Sequence, residues 1–216
     1  MATYGTIGTR IADEINRSDL SSQINNAIQS ALLELEGERY WFEDGTATIT
    51  TVANQTFYAL PGDLRDTDFT TALADGVTIR EIDGAVCNFN NWFQPLRPVT
   101  VDWIDTYQIP TYVGQPYYYA FLGEQIRLAP TPSAAYQITI RGHLSPATLS
   151  AASDTNVWTI NGEPLLRARA KTILHRDVLR DAEEMQFCLQ AEEMARQALN
   201  RKTGARQSGR LMAWGY

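Results

Sequence analysis

The side chains best suited to chemistry in this chain are two histidines, and their surroundings decide what they can do. His143 and His175 have no carboxylate or cysteine at a spacing typical of metal ligands. His175 and Asp177 lie two residues apart on a predicted helix, which sends them to different faces. No G-x-S-x-G elbow or comparable frame for a nucleophile is present. The sequence therefore predicts no metal site, no cofactor and no enzyme activity.

Two further segments have a superficial similarity to known binding motifs. The acidic segment Asp63–Gly76 carries Asp63, Asp66, Asp68 and Asp75, but it lacks the alternating oxygen ligands and terminal Glu of an EF-hand. The segment Gly204–Arg210 has the glycine spacing of a phosphate-binding loop, with Arg in place of Lys and Leu211 in place of the hydroxyl residue. We interpret the first as a solvated loop and reject the second.

Charged and sulfur-containing residues add no chemistry. The pairs Glu183–Glu184 and Glu192–Glu193 fall on the charged face of a predicted helix, where we expect them to be solvated. Cys87 and Cys188 are isolated in 216 residues, so we expect reduced packing residues and no disulfide framework.

Composition bounds the class of protein. With 44% hydrophobic and 20% charged residues, the chain is typical of a globular protein. No run of apolar residues is long enough to span a membrane, and the first ten residues lack the apolar centre of a secretory signal. The net charge is −7, and the last sixteen residues carry four positive charges and no acid, so the preceding 200 carry −11. An acidic body argues against non-specific binding of nucleic acid.

The element that organises the chain is a predicted helix from Pro164 to about residue 203. Pro164 suits a first helical turn, and Gly204 is the expected end. About forty helical residues would span on the order of 60 Å. Apolar residues recur at helical spacing along it: Leu166, Ala170, Ile173, Leu174, Val178, Ala182, Met185 and Leu189.

Two shorter helices precede it near the start. A first helix capped by Thr6 would place Ile7, Ile11 and Ile15 on one face. A second, from Leu20 to about Gly37 with Ser18 or Asp19 as cap, carries the clearest helical pattern: Ile24, Ala27, Ile28, Ala31, Leu32 and Leu35.

The period then changes from 3.6 to 2. Residues 46–52 and 55–60 predict two strands, which we interpret as a β-hairpin. Further strands are predicted at 77–82, 85–89, 117–122, 125–128 and 136–144, a short helix at 101–108, and Trp158 as an anchor. The prediction is an α+β fold, in which a helical layer carries an inserted antiparallel β-domain. The expected parts are residues 1–43, helical; 44–160, β-domain; 161–203, long helix; and 204–216, extended tail.

The order of these elements resembles a known family. Its marks are Leu35-Glu-Gly-Glu-Arg-Tyr-Trp-Phe42, Gln55-Thr-Phe-Tyr-Ala-Leu-Pro61, the segment from Ile126 to Arg141 with Pro130 and Pro132, and the closing long helix. Together they resemble the head-to-tail adaptor proteins of tailed bacteriophages, also called head-completion proteins or tail accessory factors.

The resemblance implies a structural protein of the virion, assembled in the host cytoplasm and located at the capsid vertex between head and tail. It implies a twelvefold ring bound to the portal protein on one side and to a tail or nozzle protein on the other. Genomic DNA would pass through the ring without specific binding, and no membrane is involved.

In similar adaptors the C-terminal segment clasps the portal, which makes the basic, aromatic end of this chain the expected docking segment. We expect Trp214 to be its anchor, because aromatic and arginine side chains dominate interface energies. The residues expected to dock are Arg206, Arg210, Leu211, Met212, Trp214 and Tyr216. Three alternatives stay open: a tail-tube or neck component that does not contact the portal, a DNA-binding module that uses the basic tail, and a phage-associated hydrolase built on a β-scaffold.

Overall fold

The computed structural model describes residues 1–59, 77–90, 92–107, 112–123 and 125–211, with side chains described through 206. The chain divides into two compact units. Met1–Glu43 and Thr148–Tyr216 form a helical unit, and Asp44–Ala147 forms a β-unit. The fold is α+β, which confirms the predicted class.

The helical unit begins with helices α1, Tyr4–Glu14, and α2, Ser21–Leu35. Thr3, not Thr6, caps α1, and the two threonines form a reciprocal capping box. Leu20 occupies the N-cap of α2 without a side-chain cap, where we expected Ser18 or Asp19. All six apolar residues predicted for the α2 stripe are buried, because they lie on one side of a 3.6-residue helix.

The second half of this unit contains α4, Val157–Asn161; α5, Glu163–Leu174; and α6, Ala182–Leu211. Residues 148–156 are predicted as part of the β-domain, but they belong to the helical unit. They form hydrogen bonds with α1: Tyr4 N–H donates to Asp154 O and Gly5 N–H to Ala152 O, both at 2.9 Å. Trp158 is fully buried in this unit, which confirms it as an anchor.

The single long helix of the prediction is broken. A π-helix, His175–Leu179, follows α5, and Arg180 adopts a left-handed conformation with φ 53° and ψ 38°. The predicted apolar stripe is therefore buried only before the break, at Leu166, Ala170, Ile173 and Leu174. Val178, within the break, and Leu189, beyond it, are exposed.

The end of the helix also differs from the prediction. α6 passes through Gly204 and continues to Leu211, so the extended tail does not begin at 204. A glycine within a helix costs only about 1 kcal/mol. Leu199 and Thr203 are buried in the turns that precede Gly204, and their packing can offset a cost of this size.

The β-unit is built on a seven-stranded sheet in the order β1-β9-β3-β4-β6-β7-β2. Its strands are β1, Asp44–Thr50; β2, Phe57–Ala59; β3, Thr78–Phe89; β4, Trp92–Pro98; β6, Tyr118–Leu122; β7, Gln125–Ala129; and β9, Gln137–Ser145. A helix, α3, covers Val101–Tyr107, and a second small sheet pairs β5, Val113–Gly114, with β8, Thr131–Pro132. All pairings in the large sheet are antiparallel except β4 with β6.

The predicted hairpin is wrong in its pairing. β1 pairs with β9, so that Asp44 lies opposite His143, and β2 pairs with β7. The core between the strands is apolar and contains Ile49, Tyr58, Ile126, Leu128, Ile138 and Ile140.

Candidate functional site

The stretch of α6 from Leu199 to Arg206 packs against its own unit, and Arg206 is the first of the predicted docking residues. Leu199 and Thr203 are buried there, and Thr203 Oγ1 donates to Leu199 O at 3.0 Å. The Arg206 guanidinium lies over the indole ring of Trp41, with 3.5 Å between Cζ and the ring centroid. This distance is well within the range of a cation–π contact.

The six residues predicted to dock fall into three groups. Arg206 is exposed on α6 and contacts Trp41. Arg210 and Leu211 lie in α6, where the structure describes their backbone but not their side chains. Met212, Trp214 and Tyr216 lie outside the described residues. The structure thus brings one of the six to an aromatic side chain of its own chain, and their docking role stays a prediction.

A buried carboxylate joins α6 to α5. Glu192 is 2% exposed, so the expectation that it is solvated is wrong, whereas Glu193 beside it is exposed. Glu192 accepts hydrogen bonds from Arg196 at 3.0 Å, from Arg169 at 3.2 Å and from the Thr172 hydroxyl at 3.3 Å. Two cations and a hydroxyl therefore compensate the charge that burial would otherwise penalise.

Each arginine of this network also donates a hydrogen bond to a glutamate from the first 43 residues. Arg169 donates to Glu34 at 2.6 Å, and Arg196 donates to Glu38 at 3.0 Å. The sequence contained one signal of the network, the Glu192–Arg196 pair at i and i+4. The partners Arg169, Glu34 and Glu38 are distant in sequence, and only the fold brings them together.

Glu38 continues the network to an aromatic cluster. The Tyr40 hydroxyl donates to Glu38 at 2.5 Å. Burial tends to raise the pKa of Glu38, but the hydrogen bonds from Arg196 and Tyr40 outweigh it and lower that pKa. Burial, together with the Glu38 hydrogen bond, raises the pKa of Tyr40, so the phenol keeps its proton and remains a donor.

The aromatic cluster has its own buried acid. Tyr40 and Phe42 both pack against Trp158, with ring centroids 5.4 and 5.2 Å away and nearly perpendicular planes. Trp158 Nε1 donates to Glu43 at 2.8 Å, and Glu43 is buried. These contacts fix the chain where it leaves α2.

The two histidines lie in different units. His143 belongs to β9, and His175 is buried in the π-helix. Over the residues that the structure describes, no group of three or more His, Cys, Asp or Glu side chains is arranged to hold a metal ion. None of the helices searched in that same part of the chain is long and apolar enough to cross a membrane.

Exposed apolar side chains mark the surfaces suited to partners. In the β-unit, Trp92 and Phe93 begin β4 at the tip of the β3–β4 hairpin, and both are more than half exposed, with Phe89 beside them. In the helical unit, Phe187 and Met194 on α6 are equally open to solvent. Exposed aromatic residues of this kind are typical of protein interfaces.

The described residues combine an α+β fold, a buried charge network and exposed apolar surfaces of the kind that bind partner proteins. The chain belongs to the SU10 adaptor protein family of bacteriophages, whose model matches residues 2–214. Membership implies a virion protein that interacts with head and tail components. Comparison with curated proteins gives no match.

Proposed function

We propose that the protein assembles as a ring that connects the capsid portal to the tail and extends the DNA channel. The observation that carries this proposal is the family match over residues 2–214, which includes both units and nearly all of the C-terminal segment. The resemblance to head-to-tail adaptors gives twelve copies as the expected size, with assembly in the host cytoplasm. In this role the protein is a structural adaptor with no reaction of its own.

The portal contact belongs to the C-terminal segment. Leu199, Thr203 and the Arg206–Trp41 contact fix the direction in which α6 ends. A docking segment that leaves from a fixed helix loses less conformational entropy on binding than one that leaves from a free chain. Trp214 is the anchor of the contact, and Arg210 supplies positive charge for an acidic groove.

The tail contact belongs to the β-unit. Trp92 and Phe93 offer an exposed aromatic pair at the tip of the β3–β4 hairpin. The polar residues around them, Asn88, Asn90 and Gln94, can form hydrogen bonds at the rim of such a contact.

The net negative charge of the body supports a role as a channel for DNA. Residues 1–200 carry a net charge of −11, which repels phosphates and allows a duplex to slide. We expect the purified protein to be poorly retained on DNA at moderate salt, and this result separates the adaptor from a DNA-binding module.

The decisive experiment mixes the full-length protein with purified portal and counts subunits in the product by electron microscopy. A ring of this protein on the portal supports the proposal. Protein that stays off the portal but joins isolated tails would establish the tail-tube or neck alternative instead.

A variant series then tests the docking segment. A chain that ends at Leu211 keeps all of α6 and lacks residues 212–216. We expect it to fold as the wild type does and to fail to load on the portal. Trp214→Ala alone should weaken loading about 30-fold, the effect of losing about 2 kcal/mol at an anchor. Arg17→Ala, an exposed arginine paired with Asp19 on the surface, is the matched control and should load normally. Normal loading of the shortened chain would refute the docking role.

A further inference from the structure

One face of α6 is apolar and exposed in the described structure. Phe187 and Met194 are 59% and 66% exposed, and Ala198 is also exposed on the same side. With the half-buried Ala191 they lie at positions 187, 191, 194 and 198, which are four, three and four residues apart. This spacing places them in a continuous stripe along one side of a helix. The buried face of α6 lies elsewhere, at Cys188, Glu192, Leu199 and Thr203.

The charges beside this stripe are segregated along the helix. Glu183 and Glu184 lie at its N-terminal end, and Arg201 and Lys202 lie at its C-terminal end. All four side chains are exposed, and none of them forms an ion pair with another described residue. Two such helices side by side in the same direction would bring like charges together, whereas the antiparallel arrangement brings each acidic pair to a basic pair.

The sizes of the apolar side chains fit the same arrangement. When two copies of α6 pair antiparallel about a centre between Glu192 and Glu193, Phe187 of each copy faces Ala198 of the other. Met194 then faces Ala191, so each layer combines one large and one small side chain. In the same register Glu183 and Glu184 lie opposite Lys202 and Arg201.

We propose that α6 is a self-association surface, and that its occupant is a second copy of this chain bound antiparallel through the Phe187–Lys202 stretch. The contact is isologous, so it closes at two copies. A ring of adaptors requires a different, heterologous contact, and the inference therefore stands apart from the proposed function. The dimer is a form of the free protein in solution.

Sedimentation equilibrium of the full chain over a concentration series tests the contact. We expect the wild type to reach the mass of two chains at high concentration. The double variant Phe187→Gln/Met194→Gln should keep its helical circular dichroism and stay at the mass of one chain. Leu189→Gln, an exposed apolar residue on another side of α6, is the matched control and should still reach two chains. A wild type that remains at one chain throughout, or an assembly that the double variant does not dissociate, overturns the proposal.

Charge reversal tests the direction of pairing without touching the apolar residues. A chain with Glu183→Lys/Glu184→Lys and a chain with Arg201→Glu/Lys202→Glu should each remain at one chain, because each would face like charges. An equimolar mixture of the two should give the mass of two chains, and the chain with all four changes should recover the wild-type mass. Reversed chains that self-associate as the wild type does, or a mixture that stays at one chain, overturn the antiparallel contact.

Discussion

Replacing Glu192 by Gln removes the charge at the centre of the α5–α6 contact and keeps the shape of the side chain. The loss of one partner from a buried ion pair costs about 3–5 kcal/mol. Here Arg169 and Arg196 retain Glu34 and Glu38 as second partners, and both arginines are about a quarter exposed. We therefore expect a smaller loss, roughly 2 kcal/mol, because hydrogen bonds to charged groups contribute about 1.5–3 kcal/mol each.

Urea unfolding followed by the helical circular dichroism signal measures this loss. With a denaturant slope of about 2 kcal/mol/M, the midpoint should fall by about 1 M. Glu193→Gln is the matched control: the neighbouring residue is 57% exposed, and its nearest cation, Arg196, is 3.8 Å away. We expect its midpoint to move by less than about 0.3 M, since exposed ion pairs contribute little. Equal midpoints for the two variants would show that Glu192 is not buried between two arginines.

Three further outcomes follow from the helical unit. Trp158→Phe removes the N–H that donates to the buried Glu43 carboxylate, and it should destabilise the protein by about 2 kcal/mol in a thermal melt. Trp41→Phe is the control and should cost less, because Trp41 Nε1 has no hydrogen-bond partner among the described residues. The folded-state pKa of Glu38 is lowered, so its stabilisation is present above the ordinary carboxyl range and is lost as pH falls through the folded pKa. The melting temperatures of wild type and Glu38→Gln should accordingly differ at neutral pH and converge in acid, and a difference that persists in acid would contradict the interpretation. Arg206→Ala should speed hydrogen exchange in the last turns of α6, by the loss of about 0.5–1 kcal/mol, and Arg201→Ala should not.

The spacing of apolar residues predicted helices and strands well where a single buried face determines the secondary structure. The α2 stripe is the clearest case, because six residues at helical spacing have only one way to be buried together. The positions of β1, β2, β3, β6, β7 and β9 were also predicted, but their pairing was not. A run of β-branched residues favours a strand without specifying its neighbour, and the neighbour of Asp44–Thr50 is Gln137–Ser145, far along the chain.

Strand β4 was missed because of its prolines. Arg97 N–H donates to Tyr117 O on the β6 side of the strand, so the nitrogen of Pro95, two residues earlier, faces the same side. β6 pairs only from Arg97 onward, and the ladder to β3 ends at Leu96, before Pro98. Neither proline therefore removes a ladder hydrogen bond, which explains how the strand tolerates both.

The candidate site was predicted less completely than the fold. The apolar spacing from Pro164 onward predicts one amphipathic helix, and residues 175–181 contain no glycine or proline that would indicate a break. Arg180 adopts the left-handed conformation at a cost of roughly 1–2 kcal/mol, which tertiary packing must offset. The break changes which side of the later helix is buried, so that Glu192 turns inward and Phe187 stays exposed.

The same change of direction connects the charge network to the exposed stripe. With α6 held to α5 by Glu192 and its two arginines, the apolar residues of α6 cannot turn inward without exposing or unpairing that carboxylate. Burial of Glu192 and exposure of Phe187 and Met194 are thus two consequences of one helix orientation. A variant that loosens the network should for this reason also weaken self-association through α6, which links the stability measurement on Glu192→Gln to the mass measurement on the full chain.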